Sequence, residues 1–95
     1  MINVTGTEKE IEYADVIMGA LMDTVRRLRE EARELRLQAT GGEEDYRFAL
    51  AAMKDSIANT FYAEMMVPER NKEVATYWIG KYGTAEVIAD RTQFL

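Results

Sequence analysis

The chain contains no cysteine and no histidine. Without cysteine there is no disulfide, no thiolate nucleophile and no cysteine-held zinc, and a reducing cytoplasm is the expected setting. Without histidine the commonest general base is missing, and neither a Ser–His nor a Cys–His pair can be assembled. No long apolar run exists either. The longest, Val16 to Met22 ("VIMGALM"), is far too short to span a bilayer. The opening "MINVTGTEKE" has no basic stretch followed by an apolar one, so no signal peptide is expected. The segment "TGGEED" lacks the lysine and the spacing of a phosphate-binding loop.

What is present suits one globular domain over residues 1–95: apolar residues make up 47% and charged residues 31%. The net charge of −5 is unevenly spread. Residues 1–25 carry −4, 26–38 carry +2, 39–67 carry −3 and 68–95 are neutral. Phosphate backbones would be attracted only by the second of these segments.

Helical periodicity dominates. Ile11, Ala14, Met18, Leu21, Val25, Leu28, Ala32 and Leu35 follow a 3-4 spacing over nearly four heptads. Thr7 with Glu10 fits a capping box. Together they predict one helix from about Glu8 to about Gln38. Tyr13, Val16, Ile17 and Met22 widen its first half, and "RRLREEARELR" keeps only a narrow stripe. "ATGG" (39–42) breaks the pattern. A second helix is expected from about Glu43 to about Met66, with acidic Glu43, Glu44 and Asp45 in its first turn. Its stripe reads Tyr46, Leu50, Met53, Ile57, Phe61 and Met65, so Met53, like Met18, is expected in the core. Pro68 ends it. Asn71 then caps a helix from about Lys72 to Tyr82 that Gly83 stops, and Thr84 caps a last one from about Ala85 to Arg91. Phe94 is expected to dock the tail. The architecture expected is all-α: a long antiparallel, coiled-coil-like helical hairpin with two short C-terminal helices on its broad end.

Several residue groups are candidates for function. Glu30, Glu31 and Glu34, and Glu12 with Asp15, are the carboxylates a metal site would need, but they read better as a solvated, salt-bridged face. No cofactor and no metal are expected. Arg26, Arg27, Arg29, Arg33 and Arg36 could meet phosphates or an acidic protein. Three interleaved glutamates favour pairing along the helix instead, Arg26 with Glu30 and Arg27 with Glu31. Glu8, Glu10, Glu12, Asp15, Glu43, Glu44 and Asp45 could imitate a phosphate backbone, though a solubilising face is the simpler reading. Trp78 is the expected anchor of the third helix onto the hairpin. Met66 and Tyr77 are expected as an adherent edge, since methionine suits adaptable surfaces.

"TGTEKEIEYADVI" (5–17) and "EVATYWIGKYG" (73–83) together resemble small helical modules of bacterial and phage proteins, some at the C-termini of DNA-processing enzymes. Thr7, Glu8, Lys9, Ala14 and Ile17 match the first part, and Ala75, Trp78 and Ile79 the second. Glu10 stands where glutamine is usual, and Gly80 where an acidic residue is usual. The resemblance implies a setting near nucleic-acid-processing machinery or mobile elements and implies no activity. The function expected is a non-enzymatic factor that binds a protein, such as a phage or mobile-element inhibitor of a host nucleic-acid-processing enzyme, anti-CRISPR inhibitors included. Its expected contact residues are the five arginines with Met66 and Tyr77. The alternatives are a nucleic-acid-contact module built on the arginines, and a self-assembling coiled-coil structural protein whose heptad seam pairs between chains; a monomer or a homodimer is expected.

Overall fold

A computed structural model describes residues 2–39, 45–67, 69–93 and 95. Among the described residues four α-helices follow one another: α1 (Glu8–Gln38), α2 (Tyr46–Met66), α3 (Ala75–Tyr82) and α4 (Ala85–Thr92). α2 packs along α1 as a hairpin, and α3 and α4 both pack on α1. The molecule is elongated, 53 × 24 × 15 Å, and α1 alone, at 1.5 Å per residue, is about 46 Å long.

α1 begins and ends where its sequence signals lie. The Thr7 hydroxyl accepts from the Glu10 N–H at 3.2 Å, and the Glu10 carboxylate accepts from the Thr7 N–H at 2.9 Å. The box thus satisfies two of the donors that a helix start leaves open. The heptad seam turns inward: Ala14, Met18, Leu21, Val25, Leu28 and Ala32 are buried, with Ile17 beside them. The seam is therefore consumed within one chain. Tyr13 and Val16 stay outside it, both more than half exposed.

α2 starts later than its acidic cluster suggested. Asp45 is extended and caps the helix, its carboxylate accepting from the Arg47 N–H at 2.9 Å. Glu43, Glu44 and the Gly41-Gly42 break lie outside the described residues, as do Pro68 and Phe94. The buried face of α2 also differs from the expected stripe. Ala51, Ala58 and Met65 are fully buried, with Lys54 and Phe61 half-buried at the same heptad spacing. Tyr46 is 70% exposed and Met53 is 50% exposed, so Met53 is no core residue. The reason is size. Ala32 of α1 and Ala51 of α2 are both fully buried in the narrower part of the hairpin. Alanine on both arms allows the axes to approach closely, and a tyrosine or a methionine on that line would force them apart.

The third helix is shorter than expected. A 3-10 turn at Arg70–Glu73 is followed by extended Val74, which forms a parallel bridge with Thr5. The Thr5 N–H donates to the Glu73 carbonyl at 2.7 Å, and the Ala75 N–H donates to the Thr5 carbonyl at 2.9 Å. A long-range partner has claimed the backbone groups that a continuous helix would have used. Gly6 permits the close approach. Its φ is +153°, and a Cβ there would sit 3.3 Å from the Ala75 Cβ. α3 then carries Trp78, fully buried, whose indole N–H donates to the Lys72 carbonyl at 2.9 Å. Gly83 stops α3 at φ +79°, and Thr84 caps α4 by accepting from the Val87 N–H at 3.3 Å. The C-terminal cover reaches past the broad end. The Thr92 carbonyl accepts from Arg27 at 2.6 Å, the Leu95 carbonyl accepts from Lys54, and Leu95 packs against the core.

Candidate protein-contact surface on α2

The arginine segment of α1 does not form a single cationic face. Arg26 pairs with Asp23 at 3.4 Å rather than with Glu30. Glu30 is taken by Arg33, whose guanidinium donates from two nitrogens at 3.2 and 2.6 Å. This hydrogen bond, more than the charge itself, holds the Glu30 carboxyl below its usual range. Arg27 pairs with Glu31 at 3.0 Å, as the i,i+4 spacing predicts, and turns its other nitrogen to α4. Lys54 of α2 meets the same Glu31 at 3.0 Å. Burial pushes Glu31 up, but the two cations outweigh it and its carboxyl lies below the ordinary value. Arg29 stacks over the Tyr62 ring at 4.9 Å and reaches Asn59 at 3.4 Å. Arg36 joins Asp55 at 2.7 Å. The five arginines thus diverge. Arg29 and Arg36 lean on one flank of α2, Arg27 on α4, and Arg26 and Arg33 stay on the outer ridge of α1.

Met66 and Tyr77 are both half-buried. Tyr77 is held by chemistry the sequence did not single out. Its hydroxyl donates to Glu64 at 2.6 Å, and Lys81 donates to the same carboxylate oxygen at 2.6 Å. Below them lies Lys72, only 4% exposed, 3.6 Å from Glu64 and donating to the Val67 carbonyl at 3.3 Å. Burial pushes Glu64 up, yet Lys81, Tyr77 and Lys72 together hold it below the usual carboxylate range. Its hydrogen bond to Glu64 raises Lys81 in turn, and burial pushes Tyr82 up to about 12. Lys72 and Glu64 gave no signal in the sequence, because each looks like an ordinary surface charge. The acidic residues considered as phosphate mimics are partly spent on structure, Glu10 in the α1 box and Asp45 at the start of α2. Among the described residues no three acidic side chains come together to hold a metal ion. Nor is any helix among them long and apolar enough to cross a membrane.

The remaining large surface is the outward side of α2. Its exposed residues are Tyr46, Ala49, Ala52, Met53, Ser56, Asn59, Thr60, Tyr62 and Ala63, and none is charged. A shallow groove of about 760 Å³ runs over Ala52, Ser56, Asn59 and Ala63. Arg36 and Asp55 border it, as do Glu64, Glu69 and Lys72. A helix that is apolar or small on every side is ordinarily covered on every side. Sequence reasoning missed this face because it assigned Met53 to the core. The usable signal was a second 3-4 spacing through Ala49, Ala52, Ser56, Asn59 and Ala63.

Comparison with family models, with curated proteins and with solved structures finds no match to this chain.

Proposed function

We propose that the chain is a non-enzymatic helical factor that works by protein contact, and that the outer face of α2 is its contact surface. The absence of charge among the exposed residues of α2 carries this reading. Depletion of charge marks the centre of protein interfaces, while bordering pairs such as Arg36–Asp55 suit a polar rim. The lack of histidine and cysteine supports a role without catalysis. The resemblance of residues 5–17 and 73–83 to modules of DNA-processing and mobile-element proteins points to a nucleic-acid-processing enzyme as the external partner, bound so as to modulate or inhibit it.

Direct nucleic-acid binding is the weaker reading, because all five arginines of α1 already face acidic or aromatic partners within the chain. Affinity capture from the source cell with the whole chain as bait tests the proposal. A retained protein that is lost with Ala52→Glu and kept with Arg26→Gln/Arg33→Gln supports it. The reverse pattern removes α2 from the reading. A filter-binding titration at about 50 mM salt decides the weaker one, which needs salt-sensitive affinity for DNA or RNA.

A further inference from the structure

The geometry points to a second copy of this chain as the occupant of the α2 outer face, packed antiparallel about a two-fold axis. The inference rests on the reading of that face as a contact surface, and an external partner then competes for it.

The order of residues on the face carries it. Ala49, Ala52, Ser56, Asn59 and Ala63 are exposed and Met66 half-buried, at 3-4-3-4-3 spacing. That is the spacing of a paired helix. The series is matched about its own midpoint, which falls between Ile57 and Ala58. In an antiparallel pair centred there, Ala52 faces Ala63 of the other copy, Ser56 faces Asn59, and Ala49 faces Met66. Each contact then occurs twice, as an isologous interface requires. The alanines allow close approach of the axes. Met66 fills the level opposite Ala49, and the central hydroxyl and amide supply a donor and an acceptor to each other. No residue of the seam itself is charged, and Arg29 meets its edge at Asn59.

Electrostatics agree with the antiparallel sense. Each helix places its positive N-terminal end against the negative C-terminal end of the other. A two-fold of this kind keeps like flanks together. It therefore sets Asp55 of one copy level with the Asn59–Tyr62 stretch of the other, where Arg29 leans.

The surface area agrees as well. The chain exposes 6253 Å². A compact monomer of its 10.9 kDa exposes roughly 5,600 Å². The surplus, roughly 650 Å², approaches the roughly 800 Å² that each partner contributes to a standard interface. Its radius of gyration, 15.6 Å, likewise exceeds the roughly 12 Å of a compact chain of this length. The stretch 49–66 offers a helical contact about 26 Å long.

Light scattering on the whole chain should give about twice 10.9 kDa, falling toward the monomer on dilution. Ala52→Glu should weaken association about tenfold or more, with the helical circular dichroism retained, because it sets a carboxylate against an alanine. Adding Ala63→Lys should restore the dimer, since the two new charges meet across this interface and lie three turns apart within one chain. The native chain has no cysteine, so introduced thiols report the register directly. Mixed Ala52→Cys and Ala63→Cys chains should form a disulfide with each other. Ala52→Cys alone should not, as its two copies stand about 16 Å apart, beyond disulfide reach. A mass that stays at 10.9 kDa through the high micromolar range overturns the inference. So does cross-linking of Ala52→Cys with itself but not with Ala63→Cys. If the chain is monomeric and Ala52→Glu still abolishes capture of a cellular protein, only the second copy is removed and the reading of α2 stands.

Discussion

The two arms of the hairpin solve the problem of facing water in opposite ways. Outside its seam α1 exposes mostly charged residues, among them Glu12, Asp15, Arg26, Glu30, Arg33 and Glu34. They neutralise one another locally, as Arg26 does with Asp23 and Arg33 with Glu30. α2 keeps its few charges off its outward side: Arg47 pairs with Asp45, Lys54 with Glu31, Asp55 with Arg36, and Glu64 with Lys72 of the 3-10 turn and Lys81 of α3. Its outward side is left uncharged. One arm turns charge to the outside and the other an uncharged side, although both belong to the same antiparallel pair. Net charge and overall composition cannot reveal this. It depends on which side of each helix its partners claim.

The sharpest way to break the comparison is to place one carboxylate on either side of α2. Ala58 is fully buried and Ala63 exposed. Ala58→Glu should cost several kcal/mol, an unpaired charge in the core, and abolish the cooperative thermal transition. Ala63→Glu should leave the fold intact and alter only association. Equal loss of structure in both, followed by circular dichroism, would mean that the inner and outer sides of α2 are assigned wrongly.

A smaller effect tests the flank. Glu64→Gln leaves buried Lys72 without its closest carboxylate and should cost about 3 kcal/mol near neutral pH. Because Glu64 lies below the ordinary carboxyl value in the fold, its contribution is present above that value. It is lost as the pH falls through the lowered one. Thermal melts across the acid range should therefore show a steeper decline in the wild type than in Glu64→Gln. Glu31, shifted the same way, should retain part of the slope in both. Parallel curves would show that Glu64 is not ionically held.

The smallest effect belongs to the outer ridge of α1. Replacing Glu30 and Arg33 together with glutamine should leave the melting temperature unchanged, since an exposed pair gains little over its hydration. A clear loss on this double substitution would erase the contrast between the two arms.

Much of this was legible in the residues. Thr7 with Glu10, the eight-residue seam, Gly83 and Thr84 each place an end or a face of a helix, because each signal acts within a few residues. The inward side of α2 was not legible. Alanines at positions 49, 51, 52, 58 and 63 make several stripes nearly equivalent, and only packing against α1 chooses among them. The bridge between Thr5 and Val74 was hidden for a different reason: its two strands of evidence lie almost a chain length apart. The candidate surface was half legible. Met66 and two of the arginines border it, but its central Ala52, Ser56 and Asn59 were not singled out, and Met53 beside them was expected in the core.

That bridge has a consequence for how the molecule assembles. The hairpin needs only neighbouring stretches of chain to meet, whereas Thr5 must find Glu73 across a separation of 68 residues. Closing so long a loop is entropically slow and unrewarded until the rest is in place. The clasp should therefore engage after the rate-limiting barrier. Loosening it, as Thr5→Pro would by deleting the N–H that meets Glu73, should hasten unfolding in a stopped-flow chevron and leave the refolding limb where it was. The first residues of the chain would then govern how long the molecule survives rather than how quickly it forms.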